Sequence, residues 1–171
     1  MELQGLHAKI LAPFVTETIH TLHTMAGLSA HAGDGFPDSL EKFRFKGYAV
    51  AAETFGVIEG KVLMHHYIET ALAIGNKVRA NLLGVDEPET SITEDVGEAL
   101  AEFSNTAIGL AMRQLAQAEL PIKFKPPYFI SSLDDMNSML TNVKEIISIP
   151  IHVDNVGRFY FNYLLHNKTG E

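Results

Sequence analysis

Four residues on one helical pattern carry the chemistry most open to interpretation in this chain: Glu98, Glu102, Asn105 and Gly109. Spacings of four, three and four residues stack them along one line of a helix running from about Glu94 to Ala118. Val96, Leu100, Phe103, Ala107 and Leu110 gather on the opposite side and provide an apolar stripe for a core. The outer line thus offers two carboxylates, a carboxamide that both donates and accepts hydrogen bonds, and a bare stretch of backbone. An ordinary solvated helix face favours Lys, Glu, Gln and Arg. Asn in a helix interior costs several tenths of a kcal/mol against Ala, and Gly about 1 kcal/mol. Both residues on one line suggest a surface that another molecule approaches closely. On the wheel alone, a plain polar face accounts for them as well.

The elements that must position this helix follow from the remaining patterning. Leu6 to Met25 is helical, with Ile10, Phe14, Ile19, Leu22 and Met25 available to a core; Pro13 suggests that the solid helix begins near Ala12, and Gly27 ends it. His20 and His23 lie three apart on it, but no third ligand accompanies them, so two partly exposed histidines is the better reading than a metal pair. Ser29 to Asp38 reads as a loop. Its HAGDGF run has no lysine and no preceding strand, which argues against phosphate binding.

Gly47 to Val57 and Lys61 to Tyr67 read as a hairpin turning through Ile58, Glu59 and Gly60, with Gly60 suited to positive φ. Alternation sends Val62, Met64 and His66 to one face and Leu63, His65 and Tyr67 to the other, so His65 and His66 are no chelating pair. Ile68 to Leu83 is a second helix, closed by Gly84, with Ala71, Leu72, Ile74, Val78 and Leu82 for its buried side. An acidic link follows, and Thr93 is suited to cap the central helix, with Glu94 and Asp95 at its positive end. Beyond Pro121, Ile122 to Ser131 is extended, and Pro126 and Pro127 direct it to an edge or a crossing. Leu133 to Leu140 is a short helical turn. Val143 to Val153 and Val156 to Leu165 are strand-like, joined at Asp154 and Asn155, with Pro150 demoting the first to an edge or bulge. A long helix ahead of a strand pair occurs twice and hints at a duplicated unit. The fold class is α+β, long helices packed on a largely antiparallel sheet with an internal pseudo-repeat, in one domain with its core over about residues 6–165.

A chain of 171 residues with 46% hydrophobic content is long enough to bury such a core. Its formal net charge of −8 argues against a nucleic-acid partner, which calls for clustered Lys and Arg. The absence of cysteine excludes disulfides and thiolate metal sites. With no apolar run of about 20 residues and no basic-then-apolar leader, a membrane role is not expected and the cytoplasm is the default.

On these residues the chain resembles the CheC/CheX/FliY family of chemotaxis phosphatases, nearest its CheX branch. The family pattern is Asp or Ser, three residues, Glu, two residues, Asn, and Pro about 22 positions on. Glu102 and Asn105 match its central pair, Gly109 the glycine that follows, and Pro127 the proline. The hairpin GVIEGKVLM (Gly56 to Met64) and the helix ETALAIGNKV (Glu69 to Val78) resemble the family's own. Two departures stand out. Glu98 replaces the leading Asp or Ser, and the first helix offers Glu17 and His20 where a two-site member carries a second Glu–Asn pair. The resemblance implies one active motif per chain and a homodimer paired through strands.

It further implies a phosphatase acting on the phospho-aspartate of a CheY-like response regulator. Mg²⁺ and a lysine would come from that partner, and the chain itself would hold no intrinsic cofactor or metal. Glu102 and Asn105 would be catalytic: Asn105 would hold the attacking water in line, and Glu102 would pair with the receiver's lysine. Glu98, Gly109 and Pro127 would serve partner binding. Glu98 keeps a second reading open, a non-catalytic module of the same fold that binds a receiver or another signalling protein without hydrolysis. A flagellar-switch component of the FliY type is a third, weaker for want of an additional domain.

Overall fold

The computed structural model describes residues 6–56, 59–120 and 122–166. Three helices lie on one face of an antiparallel sheet: α1 (Leu6–Thr21, continued by a π turn, Leu22–Ala26), α2 (Ile68–Leu83) and α3 (Glu94–Gln117). The strands are β1 (Ala30–Ala32), β2 (Phe36–Asp38), β3 (Gly47–Gly56), β4 (Gly60–Tyr67), β5 (Ile122–Phe124), β6 (Tyr128–Ile130), β7 (Val143–Val153) and β8 (Gly157–His166). A short helix α4 (Leu133–Met139) packs on the opposite face. The sheet order is β1-β7-β8-β4-β3-β5, with β2 also on β7 and β6 also on β3.

This order gives the pseudo-repeat a definite form. Each half is a long helix, two three-residue strands and a long hairpin: α1, β1, β2, β3, β4, then α3, β5, β6, β7, β8. The short strands of each half pair with the other half's hairpin, β1 and β2 with β7, β5 and β6 with β3. The hairpins meet at β4 and β8, whose register runs from Gly60 opposite Leu165 to His66 opposite Phe159. Val62, Met64, Phe159, Phe161 and Tyr163 project towards the helices, whereas Leu63 and Leu164 join Phe43, Met136 and Ile146 beneath α4.

Several expectations need correction. Helix α1 starts at Leu6 and runs through Pro13. The carbonyl left without its donor belongs to Lys9, an exposed residue. The segment read as a loop from Ser29 to Asp38 contains β1 and β2. Strand β7 is interior rather than an edge, and its bulge falls between Val143 and Glu145, away from Pro150. Pro150 sits between the stretches covered by β1 and β2, and its carbonyl accepts from the Gly33 N–H at 2.8 Å. In a strand a residue's N and O face the same edge, so the missing N–H takes nothing from the β7–β8 ladder. Val57, expected to end the first strand, and Ile58 of the expected turn lie outside the described residues. At that turn Gly56 rather than Gly60 has positive φ (116°). Gly60 is instead constrained by packing, because a Cβ there would collide with the Leu164 carbonyl of β8. Leu82, expected inside, is 53% exposed at the end of α2.

Two histidines lie side by side in β4 and differ in surroundings. On the α4 side, His65 Nε2 accepts from the Lys46 N–H at 2.9 Å, and its Nδ1 meets Asn162 Oδ1 at 3.1 Å, which sets Nδ1 as the protonated nitrogen. On the helix side, His66 is fully buried and stacked on Phe159, with centroids 4.5 Å apart and both ring nitrogens lacking hydrogen-bond partners among the described residues. Burial first, then the charge of its neighbour, pushes His66 down to about 3. Burial and the Lys46 ammonium push His65 down to about 4.

Both groups are neutral in the fold and titrate near their ordinary value once unfolded. Their contribution to stability is therefore complete above about pH 6.5 and is lost as pH falls towards about 4 for His65 and about 3 for His66. Each should cost about 2 kcal/mol on going from pH 7 to pH 5. Thermal melts at the two pH values should show this loss, with His66→Leu losing much less than the parent; an equal loss in both would contradict the assignment.

Helix α2 sets the height of α3 through a glycine. A Cβ on buried Gly75 would lie 2.6 Å from Val96 Cγ1, a stiff side chain with no exposure of its own. Gly75→Val should destabilise by about 1–3 kcal/mol through overpacking, read from chemical denaturation midpoints.

Candidate functional site

Helix α3 is started by Thr93, whose Oγ1 accepts from the Val96 N–H at 3.4 Å, with Glu94 and Asp95 in the first turn where the helix dipole favours them. Its buried side consists of Val96, Ala99, Leu100, Phe103, Ser104, Ala107, Ile108, Ala111 and Leu115. Leu110, expected on this side, is only half-buried, and Ile108 takes the inward position.

Contacts from both neighbouring helices steady α3. Arg79 of α2, 5% exposed, reaches Glu89 at 3.7 Å and Asp95 at 4.0 Å. Asn76 holds the acidic link by donating to the Glu89 carbonyl at 2.9 Å and accepting from its N–H at 3.0 Å. Towards the other end, Gln114 donates to the Glu17 carboxylate of α1. Glu17 thus serves as a strut between helices, and His20 beside it is exposed. Asn76, Arg79 and Gln114 escaped the sequence reading. Gly75, an unexplained glycine in a helix interior, was the one visible signal.

The structure places Glu98, Glu102, Asn105 and Gly109 together on the exposed side of α3. At 1.5 Å rise per residue the line is about 17 Å long. Among the described residues, no hydrogen bond or ion pair engages the side chains of Glu98, Glu102 or Asn105. Nothing lies within 4 Å of a Cβ built on Gly109, so the fold does not require glycine there. Exposed Arg113 continues the line one turn further on, a residue the sequence reading passed over. Pro127 is not brought onto this line. It is half-buried in the connection between β5 and β6, along the edge of β3.

The arrangement is a strip rather than a pocket. Clefts of 260, 380 and 460 Å³ are lined by other residues, the largest by Lys9, Pro13, Thr16 and Gln114 among others. The strip leaves two carboxylates and a carboxamide on an exposed helix face with no partner among the described residues. Among the described residues no group of three or more His, Asp or Glu side chains is placed to hold a metal ion. No helix there is long and apolar enough to cross a membrane.

Comparison with known proteins places this geometry in context. The family model described as chemotaxis phosphatase CheX matches residues 48–152, a stretch that includes α2, the whole of α3 and most of the sheet. Among solved structures, a chemotaxis protein CheX from Desulfovibrio desulfuricans superposes with a TM-score of 0.72 at 23% identity, covering 92% of this chain and 99% of that one. CheX in a CheX–CheY–BeF3–Mg²⁺ complex from Borrelia burgdorferi gives 0.67 at 21% identity, covering 92% and 98%. FliY from Thermotoga maritima gives 0.66 at 15%, covering 96% and 92%. No curated protein matches the chain in sequence. The family model spans well over half of the chain, and the long helices and antiparallel sheet agree with the solved structures: this chain belongs to the chemotaxis phosphatase CheX family.

Proposed function

We propose that the protein hydrolyses the phospho-aspartate of a CheY-like response-regulator receiver, with the exposed line of α3 as its catalytic edge. The observation that carries the reading is the unengaged Glu98–Glu102–Asn105 series ending at a glycine for which the fold has no use. Family membership supports it, as does the relative held in a complex with CheY and Mg²⁺.

Hydrolysis of an acyl phosphate calls chiefly for a water placed in line with phosphorus and for charge stabilisation. The receiver brings the Mg²⁺ and a lysine that meet the phosphoryl oxygens. Asn105 contributes the carboxamide that accepts from the water and donates to a neighbouring oxygen, fixing the line of attack. As the water's oxygen bonds to phosphorus, the bond to the aspartyl oxygen breaks, releasing phosphate and restoring the carboxylate. Glu102, one turn earlier, pairs with the receiver's lysine and sets the register of docking; such a pair contributes orientation more than affinity. Glu98 lengthens the acidic approach, Gly109 admits the partner's backbone, and Pro127 shapes the nearby sheet edge. The cytoplasm is the compartment that suits this substrate.

Decay of a phosphorylated CheY-like receiver in Mg²⁺ tests the reading. The protein should accelerate decay, and Asn105→Ala should return it to about the unassisted rate with melting unchanged. Binding without acceleration would select the non-catalytic module. Gly109→Ala should raise stability by up to about 1 kcal/mol, since helix propensity improves and the added methyl meets nothing. Gly109→Leu should fold equally well but slow receiver decay by about tenfold or more through obstructed approach. The same reading makes the protein a homodimer. Sedimentation should give twice the 18.8 kDa chain mass, and a single-chain species throughout would remove that part.

A further inference from the structure

The face of the sheet turned away from α1, α2 and α3 carries a second, chemically opposite surface. Lys46 Nζ lies over three aromatic rings, 4.7 Å from the centroid of Tyr160, 5.7 Å from Phe43 and 5.8 Å from Tyr67. The Arg158 guanidinium carbon lies 5.7 Å from the centroid of the same Tyr160. Two cations therefore share one ring. Among the described residues, neither has a carboxylate within 4.0 Å. Around them, Phe36 (39% exposed) and Tyr67 (36%) present apolar surface, with Phe36 edge-on to Tyr160 at 6.5 Å.

This cluster is held in place by a buried polar chain. The Lys46 N–H donates to His65 Nε2 at 2.9 Å, and His65 Nδ1–H to Asn162 Oδ1 at 3.1 Å. Asn162 Nδ2 donates to Ser148 Oγ at 2.7 Å, and the Ser148 hydroxyl to Asp38 Oδ2 at 3.2 Å. The chain crosses β4, β8 and β7 to reach β2, and it clamps residues 38–46 at both ends. Thr70 Oγ1 fixes the Arg158 backbone by donating to its carbonyl at 3.3 Å. Asp38 is close enough for its charge to act on Lys46 without pairing with it; its oxygens accept from the Ser39 N–H at 3.0 Å and the Ser148 hydroxyl, and Lys46 Nζ donates to the Arg44 carbonyl at 3.3 Å. Partial burial lowers Lys46 from its ordinary value; Asp38 opposes that shift and Arg158 adds to it.

Two like charges pinned beside one ring, without a paired carboxylate, form a receptor for an anion. On a chain whose net charge is −8 they stand out as a local exception. The aromatic rim asks that the anion arrive with apolar neighbours. We propose that this face docks an acidic peptide segment of a second protein, a carboxylate seated between Lys46 and Arg158 and an adjacent apolar side chain laid against Phe36 and Tyr67. The site lies on the far side of the sheet from Asn105, so it is independent of the catalytic proposal and leaves α3 uncovered when filled.

The test is fluorescence anisotropy of a labelled peptide, Asp-Phe-Glu-Leu-Asp-Leu, titrated with the whole protein, beside the same peptide carrying Asn and Gln for its acids. The acidic peptide should bind saturably, the amide peptide at least about tenfold more weakly, and rising salt should weaken the acidic peptide. Lys46→Ala with Arg158→Ala should reduce affinity by about tenfold or more. If the double variant melts early, Arg158→Glu alone, on an exposed side chain, should give the same loss. The proposal is overturned by absence of saturation up to about 1 mM, by equal affinity for the two peptides, or by affinity unchanged in a folded variant.

Discussion

The pairing of β4 with β8 is the constraint on which the remaining structure depends. It joins two hairpins that come from different halves of the chain, over a register from Gly60 opposite Leu165 to His66 opposite Phe159. Its two faces found the two cores: Met64, Phe159 and Phe161 seat the three long helices, and Leu63 and Leu164 seat α4. A slip of one residue would exchange these faces. It would bring His65 and Asn162, which now bond each other at 3.1 Å, under the helices without their partners. The apolar alternation and the buried polar pair thus specify the same register, the first by burial and the second by the cost of leaving a polar group unpaired.

The seam also explains how α3 is held in place. The sheet supports α3 from below, Gly75 lets α2 approach it, and Arg79 and Gln114 tie it to its neighbours. Its outer line therefore sits on a rigid element, with the side chains of Glu98, Glu102 and Asn105 unengaged among the described residues. If the proposed function holds, such rigidity would serve Asn105 in positioning a water, because geometry fixed beforehand removes that cost from the encounter.

Much of this was legible in the sequence. The outer line of α3 appeared on a helical wheel because the helix is long and its inner stripe is dense, and Thr93, Gly27 and Gly84 marked boundaries by known backbone chemistry. The opposed faces of His65 and His66 followed from strand alternation alone. Other features depended on contacts between distant segments. The strands β1 and β2 are three residues each and have no pattern of their own; they exist because β7 offers an edge. Pro150 misled because its tolerance depends on which edge its nitrogen faces, and Pro13 because its cost depends on whether the Lys9 carbonyl meets water. Gly60 was right as a hairpin residue but for a different reason, the approach of Leu164 from the other half. The polar chain from Lys46 to Asp38 joins four strands and has no sequence signature.

The exchange of short strands between halves bears on how the molecule is made. Neither half can seal its own hairpin, since β7 is closed by β1 and β2 from the beginning of the chain, and β3 by β5 and β6 from beyond α3. Most of the pairing is accordingly long-range in sequence, and loop closure precedes its reward. An emerging chain that has completed β4 and α2 would still expose a hairpin with two open edges, a state that invites pairing with other chains. The duplicated architecture is therefore an interlock rather than two modules in tandem: its halves mature together, and its cooperativity comes from each half supplying the edge that the other lacks.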